Sequence, residues 1–229
     1  MKNRMPECFV LAFAIVLVGI IMSLTANKFI DKDRIVHVRG LSEKEVPADK
    51  VFWTLSYRVL GNDVQEIYKD LESKDSLIQK FLLDNGFSAE EITIGTPSFS
   101  NLDLDEWREN KSGFRFSAQS SMTVVSNKVE KIRPLQRDIS QLTKQNVMFD
   151  NNYADYEFSG LNKIKPQMIE EATRNAREVA IKFAEDSHSK LGKISNAQQG
   201  LFSIDDRDGN TPQIKKIRVV TTIDYMLDD

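Results

Sequence analysis

Residues Cys8 to Leu24 (CFVLAFAIVLVGIIMSL) form the feature that most limits what this chain can become. The run holds no charge and no proline. Most of its residues are Leu, Ile, Val or Phe, each of which favours insertion into hydrocarbon by roughly 0.3–0.6 kcal/mol. As a helix it is about 25 Å long, close to the hydrocarbon thickness of about 30 Å. Lys2 and Arg4 precede it, which by the positive-inside rule keeps the N-terminus in the cytoplasm and sends the remainder across the membrane. Two readings follow. An uncleaved anchor retains the segment. A cleaved signal peptide needs a shorter core and a small-residue site; the available one, Leu24-Thr25-Ala26, places Leu where a small residue is preferred. Residues 1–33 thus read as signal-anchor or signal peptide with a short linker, and 34–229 as the exported domain.

Charge and cysteine content narrow the setting. Lys and Arg number 31 against 34 Asp and Glu, a net charge of −3. Without a basic cluster there is no footprint for nucleic acid. The single cysteine, Cys8, lies in the apolar run, so the exported part has no disulfide and depends on its core. That suits a bacterial periplasm better than a eukaryotic secreted domain.

Periodicity then gives the elements. Arg34–Gly40 alternates as a strand, with Ser42–Asp49 as a charged loop containing Pro47. Val51, Trp53, Leu55, Tyr57 and Val59 share one face of a second strand. Val64, Ile67, Leu71, Ile78 and Leu82 follow helical spacing, with Asn62 or Asp63 as cap and Asn85-Gly86 as stop. A short strand at Ile92–Thr96 ends at Pro97. Asn101–Ser112 is a polar hairpin connection, in which Trp107 among charges also suits an interface anchor. Phe114 to Val124 alternates. Ser126 or Asn127 caps a helix carrying Val129, Ile132, Ile139 and Leu142, with Pro134 expected to kink it or delay its start. Tyr153–Ser159 is a strand presenting Ala154, Tyr156 and Phe158 on one side.

Pro166 is placed to begin the longest helix, and Gly192 to close it. Ala172, Ala176, Ala180 and Ala184 recur every fourth residue, a stripe that lets a backbone approach closely. Met168, Ile169, Val179 and Phe183 flank the stripe and are expected to supply burial. The stripe reads as core-facing, with an oligomer contact as the alternative. Ile194–Ile204 is a weaker strand, Asp205–Pro212 a turn, and Ile217, Val219, Thr221, Ile223 and Tyr225 mark the last strand.

Residues 51–159 therefore read strand, helix, strand, strand, helix, strand. The expected fold is α+β: an antiparallel sheet with a ferredoxin-like βαββαβ unit, extended by the long helix and a C-terminal β-hairpin with which the first strand pairs.

Chemistry is sparse. Neither a phosphate-binding glycine loop nor a G-x-S-x-G elbow occurs. His37, beside Val36 and Val38, and His188, late in a polar helix turn, are far apart in sequence and read as structural and solvated respectively. Asp205-Asp206-Arg207-Asp208-Gly209-Asn210 resembles a calcium loop. With Gly209 at the sixth position, however, the first is Ile204 and the twelfth Lys215, so both key ligands fail. Asp103 and Asp105 are expected to be solvated, although paired carboxylates can do acid–base work. No catalytic, cofactor-binding or metal residue is assigned.

The order of these features resembles the SIMPL-domain family of bacterial envelope proteins over roughly residues 34–227. It is carried by Val36-His37-Val38-Arg39-Gly40, then Glu43 and Pro47, Gly86 with Ile92 and Thr93, the Phe114 strand, the Glu171-Ala172 helix ending at Leu191-Gly192, and the closing Ile217–Tyr225 strand. Pro47-Ala48-Asp49 departs from the family's Pro-Asp pair. The resemblance implies export to the periplasm or envelope, a link to stress tolerance and self-assembly, and no catalytic residues. The expectation is a non-enzymatic, homo-oligomeric periplasmic protein held in the inner membrane by residues 8–24, with other envelope proteins as partners. A small-ligand or hydrolytic site near Arg58, Tyr57 or Tyr156 is the alternative.

Overall fold

A computed structural model describes residues 13–22, 34–104 and 113–228, the side chain of Leu104 excepted. Residues 13–22 form helix α1, exposed along its length. The rest of the expected membrane segment, like Trp107 and Asp105, lies outside the described residues. Among the described residues no helix is long and apolar enough to cross a membrane.

The remaining elements run β1 (Ile35–Pro47), β2 (Lys50–Gly61), α2 (Val64–Asp84), β3 (Ile92–Ile94), β4 (Ser98–Asn101) and β5 (Phe116–Ser126). They continue with α3 (Val129–Asp138), α4 (Ser140–Thr143), β6 (Phe149–Glu157), α5 (Leu161–Asp186), β7 (Lys190–Gln199), β8 (Ser203–Asp206) and β9 (Ile214–Asp228). The chain divides into two units. Unit 1 contains residues 1–44, 163–204 and 217–229, and unit 2 contains 45–162 and 205–216.

Unit 2 holds a sheet ordered β3-β5-β2-β6, with β4 also on β5. The pairs β2–β5, β2–β6, β3–β5 and β4–β5 are antiparallel. With β3 and β4, which both pair with β5, counted as one interrupted strand, the order within residues 51–159 is 2-3-1-4, consistent with the expected split βαββαβ unit. The alternation of β2 does the organising: Val51, Trp53, Leu55, Tyr57 and Val59 are all buried. They meet Ile67, Leu71, Ile78 and Leu82 of α2 and Ile132 and Leu135 of α3 in one apolar cluster. Asp63 caps α2, its carboxylate accepting the N–H groups of Gln65 and Glu66. Gly86, at φ 86°, closes it: the Gly86 N–H reaches Leu83 O and the Phe87 N–H reaches Leu82 O, a Schellman pair.

Pro134 lies inside α3, the helix breaks at Ile139, and α4 resumes for one turn. The Ser126 hydroxyl accepts the Lys128 N–H ahead of α3. Asn146, at φ 69°, then ends this segment as Gly86 ends α2.

Unit 1 is built on the sheet β1-β9-β7, with β8 also on β9. The first strand pairs with the last, as expected. Its extent differs: Ser42–Pro47 is strand, not loop. The inward positions after Val38 are Gly40 and Ser42, so the period of two continues without the apolar residues that would advertise it. α5 explains those choices. A Cβ on Gly40 would lie 1.8 Å from the Ala172 carbonyl oxygen and 2.6 Å from the Ala176 nitrogen. The Ser42 hydroxyl donates to Glu171 at 2.8 Å. Lys44 Nζ donates to Gln167 and Asn175 Nδ2 to Leu41 O. Ala172, Ala176, Ala180 and Ala184 are all buried, so the stripe faces the core.

Both ends of α5 differ from expectation. It begins at Leu161, with Pro166 inside at the sixth position, where the missing N–H forgoes one bond, to the Asn162 carbonyl. It ends at Asp186. His188, at φ 54°, takes the left-handed closing position, its N–H reaching Glu185 O while the Ser189 N–H reaches Ala184 O. Leu191-Gly192 belongs to β7. Ile194–Ile204 is not one strand either, since Gly200 separates β7 from β8.

Candidate functional site

β2 sends Tyr57 and Arg58 to opposite faces, so the two cannot share a cleft. Tyr57 is buried under α2, with its hydroxyl 3.0 Å from Leu71 O and 2.9 Å from Asp75 Oδ1. Ser120 donates to the same carboxyl at 3.2 Å. Burial, and then the Asp75 side chain, push the Tyr57 hydroxyl far above the usual phenol range; burial raises Asp75 as well. The Tyr57 hydroxyl is the donor in both contacts, its proton directed between the Leu71 carbonyl and the Asp75 carboxyl. This closed network fastens α2 to the sheet. Arg58 is exposed and pairs with Asp150 at 3.4 Å.

Tyr156 is placed differently. Its position on β6, opposite Val51, points it to the helical side, where it is only 4% exposed. Its hydroxyl has no hydrogen-bond partner among the described residues. Burial raises it, Arg133 opposes that shift, and Glu130 adds to it. Both of these side chains line a cleft of about 320 Å³ in unit 2, with Val129, Pro134, Arg137 and Gln213. Glu130, Arg133 and Arg137 recur at three- and four-residue spacing, one stripe of α3. The Asn152 and Gln136 side chains bond reciprocally to each other's backbone carbonyls, fixing α3 over β6. The Ala48 N–H holds Gln213 by its carbonyl at 2.8 Å, leaving the side chain at the cleft. Gln213 Oε1 is likewise buried without a partner. The sequence reading reached Tyr156 but not Arg133, Arg137 or Gln213. The Glu-x-x-Arg-x-x-x-Arg spacing was visible, whereas Gln213 joins only through the tertiary fold.

Unit 1 offers a surface instead of a cleft. Each alanine of the α5 stripe is turned about 40° from the previous one, since four residues cover about 400°. Val179 and Phe183 bracket the angular position of Ala172, which is buried early in the helix and uncovered late. Phe183 is accordingly 56% exposed and Val179 39%, against the expectation that both supply burial. Ile194 on β7 and Leu201, the latter 95% exposed, add to the uncovered apolar set of this unit.

The other residues singled out by sequence are engaged locally. His37 Nδ1 lies 2.7 Å from Asp224 Oδ1, and that bond, with one from Asn196, holds Asp224 below the usual carboxylate range. His188 is an exposed helix terminus. Asp103 faces Arg115 at 3.6 Å. Asp205 and Asp206, expected in the turn, end β8, where Asp206 pairs with Lys215; in the turn that follows, Asp208 accepts from Thr211, Arg207 and the Asn210 N–H, which brings its carboxyl down to about 2. Among the described residues no group of three His, Cys, Asp or Glu is arranged to hold a metal ion.

No curated protein matches the chain. The family model described as SIMPL, protein of unknown function (DUF541), matches residues 36–220, a span that includes β2–β8 entire, nearly all of β1 and the first part of β9. The chain belongs to the SIMPL family.

Proposed function

We propose that this chain is a non-enzymatic cell-envelope protein that works by self-association, exported to the bacterial periplasm and held in the inner membrane by residues 8–24, with a role in envelope or oxidative stress tolerance. The observation that carries the reading is the uncovered apolar set of unit 1: Val179, Phe183, Ile194 and Leu201. Val179 and Phe183, one turn apart on α5, leave two large apolar groups side by side in water, which favours a partner surface. The sheet edge argues for contact through side chains and not through strand pairing. β7 ends its sheet, carries Lys190 and Lys193, and changes register twice against β9. Lysines and bulges guard an edge against a further strand. A second copy of the chain, meeting the same apolar set about a twofold axis, buries it without new chemistry.

Light scattering on the full chain in mild detergent tests this. A discrete mass of two or more copies, reduced to one copy by Phe183→Glu with Leu201→Glu, is expected. A single-copy mass across a hundredfold concentration range overturns it. Retention in membranes after an alkaline carbonate wash tests the anchor separately, and a mature soluble chain beginning near Asn27 overturns that part.

A further inference from the structure

We propose that the α3 cleft binds a free α-amino acid, or another small zwitterion, through Arg133 and Arg137 at its carboxylate and through Glu130 and Gln213 Oε1 at its ammonium group. The cleft holds groups of both signs. Arg133 is half-buried, one helical turn from Glu130, yet no ion pair joins them within 4 Å among the described residues. Arg137 stands one turn further along the same stripe. Two guanidinium groups four residues apart suit a planar carboxylate, which accepts a forked pair of bonds. The buried Gln213 Oε1 lacks a donor, and an ammonium group supplies three. The Tyr156 hydroxyl, nine-tenths buried and unpartnered, feels the charges of Arg133 and Glu130 without itself lining the cleft, and offers a further donor behind them. A bare anion satisfies the arginines but leaves Glu130 repelling it, and a bare cation meets the reverse. Only a ligand with both charges answers the whole lining. Val129 and Pro134 provide an apolar wall for a side chain. About 320 Å³ is at the small end for ligand pockets and accommodates a single amino acid.

The test is titration calorimetry on the full chain with L-leucine, N-acetyl-L-leucine, L-leucine methyl ester and inorganic phosphate. L-leucine is expected to bind at least tenfold more tightly than either blocked form, and more tightly than phosphate. Arg137→Gln, at an exposed position, and Tyr156→Phe, which preserves shape, are each expected to weaken L-leucine at least fivefold with unfolding temperatures retained. No heat from L-leucine, equal affinity for the blocked forms, preference for phosphate, or unchanged affinity in both variants overturns the proposal.

Discussion

The two units solve the same packing problem with opposite materials. Unit 2 fills its interior with large side chains: Trp53, Tyr57, Leu55, Ile67, Leu71, Ile78, Leu82, Met122 and Ile132 are all essentially inaccessible to solvent. Unit 1 brings backbones together. Its central cluster is Val38, Ala176, Ala180, Ile223 and Tyr225, and Gly40 admits the α5 backbone to where a side chain would otherwise stand. Stability in unit 2 comes mainly from apolar area removed from water, about 25 cal/mol per Å². Unit 1 relies more on close dispersion contact between main chains, which forfeits much of its energy when a gap of an ångström opens. The first tolerates added atoms better than lost ones; the second tolerates lost atoms better than added ones.

Truncation and enlargement put numbers on that contrast. Ile78→Ala is expected to cost unit 2 about 2–5 kcal/mol, from lost transfer energy and the cavity left behind. Ala176→Gly is expected to cost unit 1 only about 1 kcal/mol, the helix-propensity term. Enlargement inverts the order. Gly40→Ala in unit 1 is expected to cost about 3 kcal/mol, at the upper end of overpacking, since backbone and not a flexible side chain stands in the way. Amide hydrogen exchange, read separately for each unit, checks all three. Equal losses from truncation and enlargement within one unit would break the comparison.

Smaller effects sharpen it. Tyr57→Phe deletes the hydroxyl between Leu71 O and Asp75 and is expected to cost about 1–2 kcal/mol by urea denaturation. The smallest concerns Glu91. Burial alone would raise its carboxyl, but bonds from Lys128, Ser126 and the Ser88 N–H outweigh that and bring it down to about 2. A carboxyl depressed in the folded state stabilises above its ordinary value and loses that contribution as pH falls towards its folded value. Glu91→Gln is therefore expected to exchange faster than the parent in unit 2 at pH 6. The gap should narrow between about pH 4.5 and about pH 2. A gap independent of pH would show that the hydrogen bonds act without the charge.

Legibility followed the same divide. β2 could be read from sequence because its inward residues are Val, Trp, Leu and Tyr. α2 could be read because Asp63 and Gly86 mark its ends. β1 was lost beyond Gly40, since an inward Gly and Ser look like a loop until the helix they receive is known. The end of α5 was misplaced because a histidine does what glycine usually does there. The burial of Val179 and Phe183 was misjudged because a four-residue stripe was treated as straight. In the cleft, Tyr156 was accessible to pattern, but Gln213 is brought to α3 by pairing between distant segments, and no local signal encodes that.

A stripe of four like residues at equal intervals carries little positional information. Sliding α5 by four residues, about 6 Å with a rotation of about 40°, would set each alanine where its neighbour had been, leaving an almost identical surface against the sheet. What distinguishes one setting from the next is the set of unlike partners along β1: Gln167 with Lys44, Glu171 with Ser42 and Asn175 with the Leu41 carbonyl. Each sits one turn from the next, like the notches of a key. All three engage at a single setting, and a one-turn slip mismatches them together. These bonds, modest as contributors to stability, are what give the helix an address.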